Sequence, residues 1–363
     1  MRGRVPILLE AAVRAATRAV LGDALLATGP LTRAIVDRSQ RYTSDRDRLA
    51  SPRDPDGDLA ARAAFFTIAD AMKIALPLAE LTRRAALPSR PLRVLDIGAG
   101  CGAMSLGLVA VLDREVTITA IDRDPRALDI AKRALTALST KATVVTRTAD
   151  ATRTELPAAD LVVLGTVLNE LPPDAALALV ERAFAALPDD GALIAIEPAL
   201  RETSRGLHTI RDAMIGRGAH VFAPCTRRCV PCTALVDPSD WCHEDRVLEL
   251  PPATRELARL THLRDGGMKF SYLVLRKQPL DLVESPGAWR AVSAPFIEKG
   301  KRELIGCSEQ GRIAIRLLKR HRSEGNRDFE RADRGDVIVT TETPGDKRLE
   351  ITGELVIERP LEG

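Results

Sequence analysis

This chain lacks the features that would place it in a membrane or on a secretory route. No run of about 18 uncharged apolar residues occurs in the sequence, which excludes a membrane-spanning helix. No N-terminal segment combines an apolar core with a small-residue cleavage site, so no secretory signal is predicted. We therefore expect a reducing compartment, where the six cysteines are better suited to bind metal than to form disulfides.

The charge balance is nearly neutral and does not by itself indicate a nucleic-acid partner. The net charge is +3 over 363 residues, and 45% of the residues are hydrophobic, enough for the packed cores of two or three domains. Residues 290–334 are locally basic, with twelve Lys or Arg against seven Asp or Glu, whereas the stretch from 335 is net acidic. The basic segment is a candidate phosphate-binding face, although a solvated surface explains it equally well.

The first 22 residues, MRGRVPILLEAAVRAATRAVLG, are rich in Arg and Ala and poor in acids. This composition is typical of a transit peptide, which would place the protein in the mitochondrial matrix. The apolar spacing also fits an ordinary amphipathic helix, and Glu10 favours that reading. We therefore expect a helix here and a cytoplasmic protein of bacterial type.

Strands and helices alternate from residue 92 onward, which predicts an α/β fold with a doubly wound, mostly parallel sheet. The predicted strands are 92–97, 115–121, 142–147, 159–165, 191–196, 219–223 and 269–275. The predicted helices are 103–112, 125–138, 173–187 and 203–216.

Three regions follow from this pattern. Residues 1–88 are predicted to be helical, with a loop at 51–57. Residues 89–279 form the α/β domain, and a cysteine-rich segment, 224–262, is inserted before its last strand. Residues 280–363 are predicted to form a small β domain of short strands, including 289–297 and 349–357. A long irregular insertion within a compact domain is usually functional.

A glycine-rich loop follows the first predicted strand in the pattern Asp96-x-Gly98-x-Gly100-x-Gly102. The glycines let the backbone approach a ligand and turn into a helix. Asp122 ends the next strand, where a carboxylate can bind ribose hydroxyls. Asp150 follows the third strand, where an acid can bind an adenine amino group. NAD-binding loops space their last two glycines more widely. The pattern instead resembles that of class I S-adenosylmethionine-dependent methyltransferases, whose sheets also end in a late antiparallel strand.

The methyl acceptor is less well defined by the sequence. Asn169 and Glu170 follow the fourth strand, and Glu197 ends the fifth, so all three are candidates to line an acceptor pocket. No aromatic residue follows Pro172-Pro173, as it often does in amino-group methyltransferases. Asn169 is equally well explained as a helix cap.

Four of the six cysteines lie within eighteen residues, and a fifth follows at a distance. They are Cys225, Cys229, Cys232, Cys242 and Cys307. Thiolates bind zinc and iron–sulfur clusters. Structural zinc sites usually contain two paired Cys-x₂-Cys elements, whereas only Cys229 and Cys232 have that spacing here. The irregular spacing favours a [4Fe–4S] cluster, with zinc as the alternative.

Several segments together resemble the methyltransferase-like small-ribosomal-subunit assembly family, whose members occur in mitochondria and bacteria. They are Ala223-Pro224-Cys225, Asp240-Trp241-Cys242-His243 and the strand 269–275. The resemblance implies a class I methyltransferase fold, a four-cysteine [4Fe–4S] cluster and association with the small ribosomal subunit or its precursor. It assigns Cys225, Cys242 and Cys307 as cluster ligands, and either Cys232 or Cys229 as the fourth.

The resulting expectation is an S-adenosylmethionine-binding, [4Fe–4S]-containing protein that methylates ribosomal RNA of the small subunit or assists its assembly. A catalytically inactive assembly platform and a small-molecule methyltransferase are the alternatives. We expect neither a membrane nor DNA as a partner. Residues proposed for one RNA-binding surface are Arg227, Arg228, Arg312, Arg316, Lys319 and Arg320.

Overall fold

The computed structural model describes residues 3–43, 52–226, 231–264, 267–285, 287–346 and 348–359. The chain divides into two compact units. The first unit consists of Met1–Leu78, Pro88–Glu170 and Arg246–Met268. The second consists of Ala79–Leu87, Leu171–Asp245 and Lys269–Gly363. The boundaries at 88/89 and 279/280 that the sequence suggested stay a prediction.

The helices and strands of the described residues follow in chain order. The helices are α1 (Ile7–Leu21), α2 (Thr28–Thr43), α3 (Pro55–Ala61), α4 (Ile68–Asp70), α5 (Ala75–Arg83), α6 (Ala103–Val111), α7 (Pro125–Leu138), α8 (Pro173–Ala185), α9 (Arg201–Gly216), α10 (Thr233–Val236) and α11 (Pro252–Thr261). The strands are β1 (Gly3–Arg4), β2 (Leu92–Ile97), β3 (Val116–Asp122), β4 (Ala142–Thr148), β5 (Leu161–Gly165), β6 (Ala192–Pro198), β7 (His220–Ala223), β8 (Glu244–Arg246), β9 (Leu248–Glu249), β10 (Met268–Arg276), β11 (Ala288–Ala291), β12 (Phe296–Glu298), β13 (Lys301–Ser308), β14 (Gly311–Leu318), β15 (Val337–Thr340), β16 (Arg348–Glu350) and β17 (Leu355–Glu358).

The first unit contains a parallel sheet in the order β4-β3-β2-β5. Strands β2 and β5 are almost wholly buried, as expected for parallel strands covered on both faces. Helices α6 and α7 connect successive parallel strands, and α1 packs against α7. The carboxyl ends of the four strands therefore share one edge, which carries the glycine-rich loop and the acids that follow β3 and β4.

The second unit contains β6, β10 and β7, with β10 between the other two and antiparallel to both. This confirms the predicted late antiparallel strand. The C-terminal part is a seven-stranded sheet in the order β16-β14-β13-β11-β15-β17, with β12 paired to β13. Its core is built around Trp289, Leu304, Ile315 and Phe329. The α/β fold class and the small C-terminal β region agree with the sequence prediction.

The N-terminal segment forms the predicted amphipathic helix, α1, which buries Leu9, Val13 and Ala16. The buried Glu10 carboxylate accepts hydrogen bonds from the backbone N and Oγ1 of Thr254, at 2.7 and 2.6 Å. A carboxylate at the start of α11 compensates the unpaired N–H groups and the positive end of that helix. Among the residues described, no helix combines the length and the apolar character needed to cross a bilayer.

Three local predictions were wrong. The loop predicted at 51–57 ends early because α3 starts at Pro55. Asp54 accepts a 2.9 Å hydrogen bond from the Gly57 N–H, and a capping Asp followed by Pro is a helix-start signal. The insertion 224–262 is not irregular throughout, since it contains α10 and α11. The strands at 289–297 and 349–357 are each split in two.

Candidate functional site

The glycine-rich loop turns sharply between β2 and α6. Gly98 has a φ of +68°, and a Cβ there would lie 2.5 Å from Cγ2 of Val167. The Gly98 N–H donates to the Ile121 carbonyl at 2.8 Å, which holds the loop against β3. A side chain at Gly98 would displace the segment after β5, so this position requires glycine.

Asp122 holds the loop from the neighbouring strand. Its Oδ2 accepts a hydrogen bond from the Gly100 N–H at 2.8 Å, and its Oδ1 accepts one from the Asp124 N–H at 2.9 Å. A carboxylate has about four acceptor positions, so each oxygen keeps capacity for one further donor. The carboxylate can therefore brace the loop and bind a pair of ribose hydroxyls together.

Asp96 supports the loop from behind. Its side chain is buried, and Oδ2 accepts a hydrogen bond from Ser105 Oγ in α6 at 2.5 Å. Burial raises the pKa of Asp96 to about 6, although the Ser105 hydrogen bonds oppose the shift. Through this hydrogen bond, Asp96 connects β2 with α6.

Asp150 follows β4 and is already engaged by its neighbours. Oδ1 accepts hydrogen bonds from Thr152, and Oδ2 accepts one from Arg123 Nη2 at 2.8 Å. The hydrogen bond from the Thr152 hydroxyl, followed by that from Arg123, lowers the pKa of Asp150 to about 2. The group is a carboxylate at neutral pH, and an adenine amino group would share it with these donors.

Asn169 and Glu170 lie in a 3₁₀ turn, Leu168–Glu170, directly after β5. The Tyr42 hydroxyl of α2 donates a hydrogen bond to Glu170 Oε1 at 3.0 Å. Tyr42 was not predicted from the sequence as a neighbour of this site. The Arg38 guanidinium stacks 5.0 Å from the Tyr42 ring centre. Burial, and then the charge of Glu170, raise the pKa of Tyr42, so the phenol stays protonated as a donor.

A charged cluster anchors these helical residues. Asp58 of α3 accepts two hydrogen bonds from Arg38, at 2.8 and 2.9 Å, and also pairs with Arg41. Burial works to raise the pKa of Asp58, but Arg38 and Arg41 outweigh it and the net shift is downward. Glu197, the remaining acceptor candidate, is the penultimate residue of β6 in the second unit and is buried.

Four of the five candidate cysteines line one cavity in the second unit. Cys225 follows β7, Cys232 precedes α10, Cys242 lies between α10 and β8, and Cys307 belongs to β13, yet all four line this cavity. Cys229, the alternative ligand, lies outside the described residues. Cys101 is buried within the glycine-rich loop of the first unit.

Backbone and side-chain contacts hold the cysteine segment in place. Asp212 Oδ2 accepts from the Cys232 N–H at 2.7 Å, and His208 Nε2 accepts from the Cys242 N–H at 3.1 Å. Arg205 donates to the carbonyls of Ala234 and Asp240, at 2.8 and 2.9 Å. Helix α9 therefore supplies the residues that shape the insertion.

The cavity by itself disfavours thiolates at Cys232 and Cys242. Burial and then the neighbouring Cys225 raise the pKa of Cys232 to about 11, and burial with Cys225 and Cys307 raises the pKa of Cys242 further. Arg211 is buried against Cys225 and Cys232, whose charges raise its pKa against the opposing effect of burial. Thiolates here would need cationic compensation, and Arg211 is a buried cation beside two of the cysteines.

The donor set fits a multi-iron cluster in chemistry. In the described part of the chain, no three His, Cys, Asp or Glu side chains stand together as ligands of one metal ion. Ligands of a single zinc lie about 2.3 Å from a common centre, whereas each thiolate of a [4Fe–4S] cluster binds a different iron. The four thiols around the cavity supply the number and type of ligands that a [4Fe–4S] cluster uses.

The predicted RNA-binding residues that the structure describes differ in their surroundings. Arg312 lies opposite Cys307 in the β13–β14 pair, lines the cysteine cavity and pairs with Asp240. Arg316 pairs with Glu350 on the neighbouring strand. Lys319 and Arg320 are exposed at the end of β14. Arg227 and Arg228 lie outside the described residues.

Comparison with known proteins identified one matching family model. A family model described as "Mitochondrial small ribosomal subunit Rsm22" matches residues 69–338. No curated protein matches the sequence.

Among solved structures, the chain is similar to magnesium protoporphyrin IX methyltransferase from Synechocystis PCC 6803 with bound S-adenosylmethionine. The identity is 14% over 68% of this chain and 97% of that chain, with a TM-score of 0.37. It is similar to the N-methyltransferase NodS from Bradyrhizobium japonicum WM9, at 14% identity over 67% and 99% of the two chains and a TM-score of 0.37. It is also similar to TrmN from Thermus thermophilus, at 19% identity over 56% and 49% and a TM-score of 0.34.

Proposed function

This chain belongs to the Rsm22 family, and from this premise we propose its function. The proposed protein binds S-adenosylmethionine, contains a [4Fe–4S] cluster and acts with the small ribosomal subunit or its precursor. The family model covers residues 69–338, and its description names the mitochondrial small ribosomal subunit. Family membership supports the small-ribosomal-subunit part of the resemblance inferred from the sequence. The cluster, the cofactor and the RNA target are the further content of the proposal.

The observation that carries the proposal is the convergence of Cys225, Cys232, Cys242 and Cys307 on one cavity. Cys307 is far from the other three in sequence and belongs to a different element, so local spacing does not explain its position. Arg211 and Arg312 lie beside the same cysteines and would offset the charge of a thiolate-ligated cluster. The cluster would join the insertion to the C-terminal sheet within the second unit.

The glycine-rich edge supports S-adenosylmethionine as the second cofactor. The tight turn at Gly98 brings the loop to the carboxyl edge of the sheet, and Asp122 offers unused acceptor positions to a ribose. The bound cofactor would supply an activated methyl group. The task of the protein would then be to orient an acceptor atom in line with it, with Asn169, Glu170 and Glu197 as candidates.

A catalytically inactive assembly platform is the second candidate function. It is favoured by the engagement of two site acids, since Glu170 accepts from Tyr42 and Asp150 accepts from Arg123 and Thr152. In this reading the cofactor fold and the cluster would serve as rigid supports for a docking surface. Methylation of the bound RNA distinguishes the two functions.

The RNA surface that we now propose is centred on Lys319 and Arg320. They are exposed at the end of β14, whereas Arg312 and Arg316 have protein partners. Arg227 and Arg228 remain proposed members of this surface. The family description names a mitochondrial ribosomal subunit, which supports the mitochondrial matrix as the proposed compartment. The cytoplasm is the alternative for a protein of bacterial type.

Replacing Asp122 with Ala is expected to weaken S-adenosylmethionine binding by about 5- to 150-fold, because on the order of 1–3 kcal/mol of hydrogen bonding is lost. Isothermal titration calorimetry on folded, cluster-loaded protein measures the effect. Asp129→Ala is the matched control, since Asp129 lies on the outside of α7 and pairs with Arg133. Absence of binding by the wild-type protein would contradict the cofactor assignment and favour the platform.

A further inference from the structure

Arg62 reaches the glycine-rich loop from outside the sheet. It begins a π-helical turn, Arg62–Thr67, that continues α3 in the N-terminal helical region. Its Nη1 donates to Asp124 Oδ2 at 3.0 Å. Its Nη2 lies 3.3 Å from the position that a Cβ on Gly100 would occupy. The guanidinium of Arg62, which is distant in sequence, therefore lies against the backbone of the loop at Gly100.

The surroundings keep Arg62 charged and leave part of it available to a ligand. Burial works to lower the pKa of Arg62, but the neighbouring Cys101, Asp122 and Asp124 outweigh it, and the net shift is upward. Its side chain is 23% exposed. Among the described residues, Asp124 is the one acceptor whose hydrogen bond with this guanidinium is identified, through Nη1. Because a guanidinium has five N–H donors in a fixed fork, donors remain for a second anion.

Gly100 lies between two groups of complementary function. Its N–H is bound by Asp122, the proposed ribose ligand, and its open side faces Arg62. A ligand lying along this loop with its ribose at Asp122 would have its other end within reach of Arg62. S-adenosylmethionine carries an amino-acid portion at that end, and its α-carboxylate is the only anionic group in the molecule.

We infer that Arg62 binds the α-carboxylate of S-adenosylmethionine. The inference rests on the proposed function, because it assigns a subsite of the same cofactor. Hydrogen bonds between a guanidinium and a carboxylate are charge-assisted and frequently bidentate, which gives both affinity and a fixed orientation. The competing role is purely structural: Arg62 would only clamp the N-terminal helices to the loop through Asp124.

Calorimetry with two ligands separates these roles. S-adenosylmethionine is compared with decarboxylated S-adenosylmethionine, which keeps the sulfonium and the amine and lacks only the carboxylate. The wild-type protein is expected to prefer the carboxylated ligand by about 10-fold or more, as for a hydrogen bond between charged groups. Arg62→Met is expected to lose that preference by binding S-adenosylmethionine more weakly, with little change for the decarboxylated ligand.

Two further variants complete the experiment. Arg62→Lys keeps the charge but not the fork, so it is expected to retain part of the preference, and it replaces Arg62→Met if that variant does not fold. Arg126→Met is the matched control, because Arg126 lies at the start of α7 and pairs with Asp56 at the surface. Its preference is expected to equal that of the wild type.

Two results would overturn the inference while leaving the cofactor assignment intact. One is equal wild-type affinity for both ligands, and the other is an equal loss of both affinities in Arg62→Met. If the wild-type protein bound neither ligand, the proposed S-adenosylmethionine site itself would be wrong, and the subsite with it.

Discussion

Replacing Cys225, Cys242 or Cys307 with Ser is expected to remove the iron and the brown colour from anaerobically purified protein. The wild-type chain is expected to contain about four irons, because four thiolates hold one [4Fe–4S] cluster. Serine is a poor ligand for such a cluster, and each of the three cysteines lines the same cavity. Iron analysis and visible absorption measure the loss, and reduced solubility is expected to accompany it.

The remaining cysteines provide the internal controls. Cys232→Ser is expected to lose the cluster, since Cys232 lines the cavity. Cys229 is the alternative ligand, and comparing the iron content of Cys229→Ser with that of Cys232→Ser identifies which of the two is the fourth ligand. Cys101→Ala is expected to keep the iron, because Cys101 belongs to the glycine-rich loop of the first unit. Wild-type protein that contained stoichiometric zinc and no iron would make the cluster assignment wrong.

Arg290→Met is expected to destabilise the protein by about 3–5 kcal/mol, since it leaves buried carboxylates without their counter-ion. Arg290 Nη1 donates to Glu80 Oε1 at 2.7 Å, and Nη2 donates to Glu244 Oε1 at 3.0 Å. The Tyr272 hydroxyl accepts from Nη2 at 3.0 Å and donates to Glu80 Oε2 at 2.7 Å. All four side chains are buried within the second unit.

The reason for the loss can be tested by removing the unpaired charges. Burial raises the pKa of Glu80 even beside Arg290, so without the arginine its ionised form costs more. Combining Arg290→Met with Glu80→Gln and Glu244→Gln is expected to recover part of the stability. Urea unfolding followed by circular dichroism measures each variant alongside its iron content. Wild-type stability in Arg290→Met would refute this account of the network.

The parts of the site that depend on local sequence pattern were predictable. Strand β2, the glycines after it and Asp122 at the end of β3 follow one another at spacings that a parallel sheet imposes. The position of Cys307 was inferred only from a family resemblance, because no local spacing connects it with Cys242. Its place on the cavity depends on the pairing of β13 with β11 and β14.

Other parts were not predictable because charged residues on helices usually indicate a solvated face. Tyr42, Arg38 and Arg62 lie on such helices, and only the packing of the first unit brings them to the sheet edge. Glu80 and Arg290 are separated by 210 positions, so their ion pair has no local signal. The apolar periodicity of α1 was sufficient to predict a helix, but it did not indicate that Glu10 would cap α11.

The central claim is that this chain acts on the small ribosomal subunit, and crosslinking in cells with sequencing of the bound RNA tests it most directly. Methylation of that RNA is compared in cells with and without the chain, and Lys319→Glu with Arg320→Glu tests the proposed surface. We expect small-subunit ribosomal RNA to be enriched, and the double variant to weaken that enrichment. Loss of a methyl group from this RNA in cells without the chain would identify the chain as an enzyme. Enrichment of other RNAs, or of none, would contradict the claim.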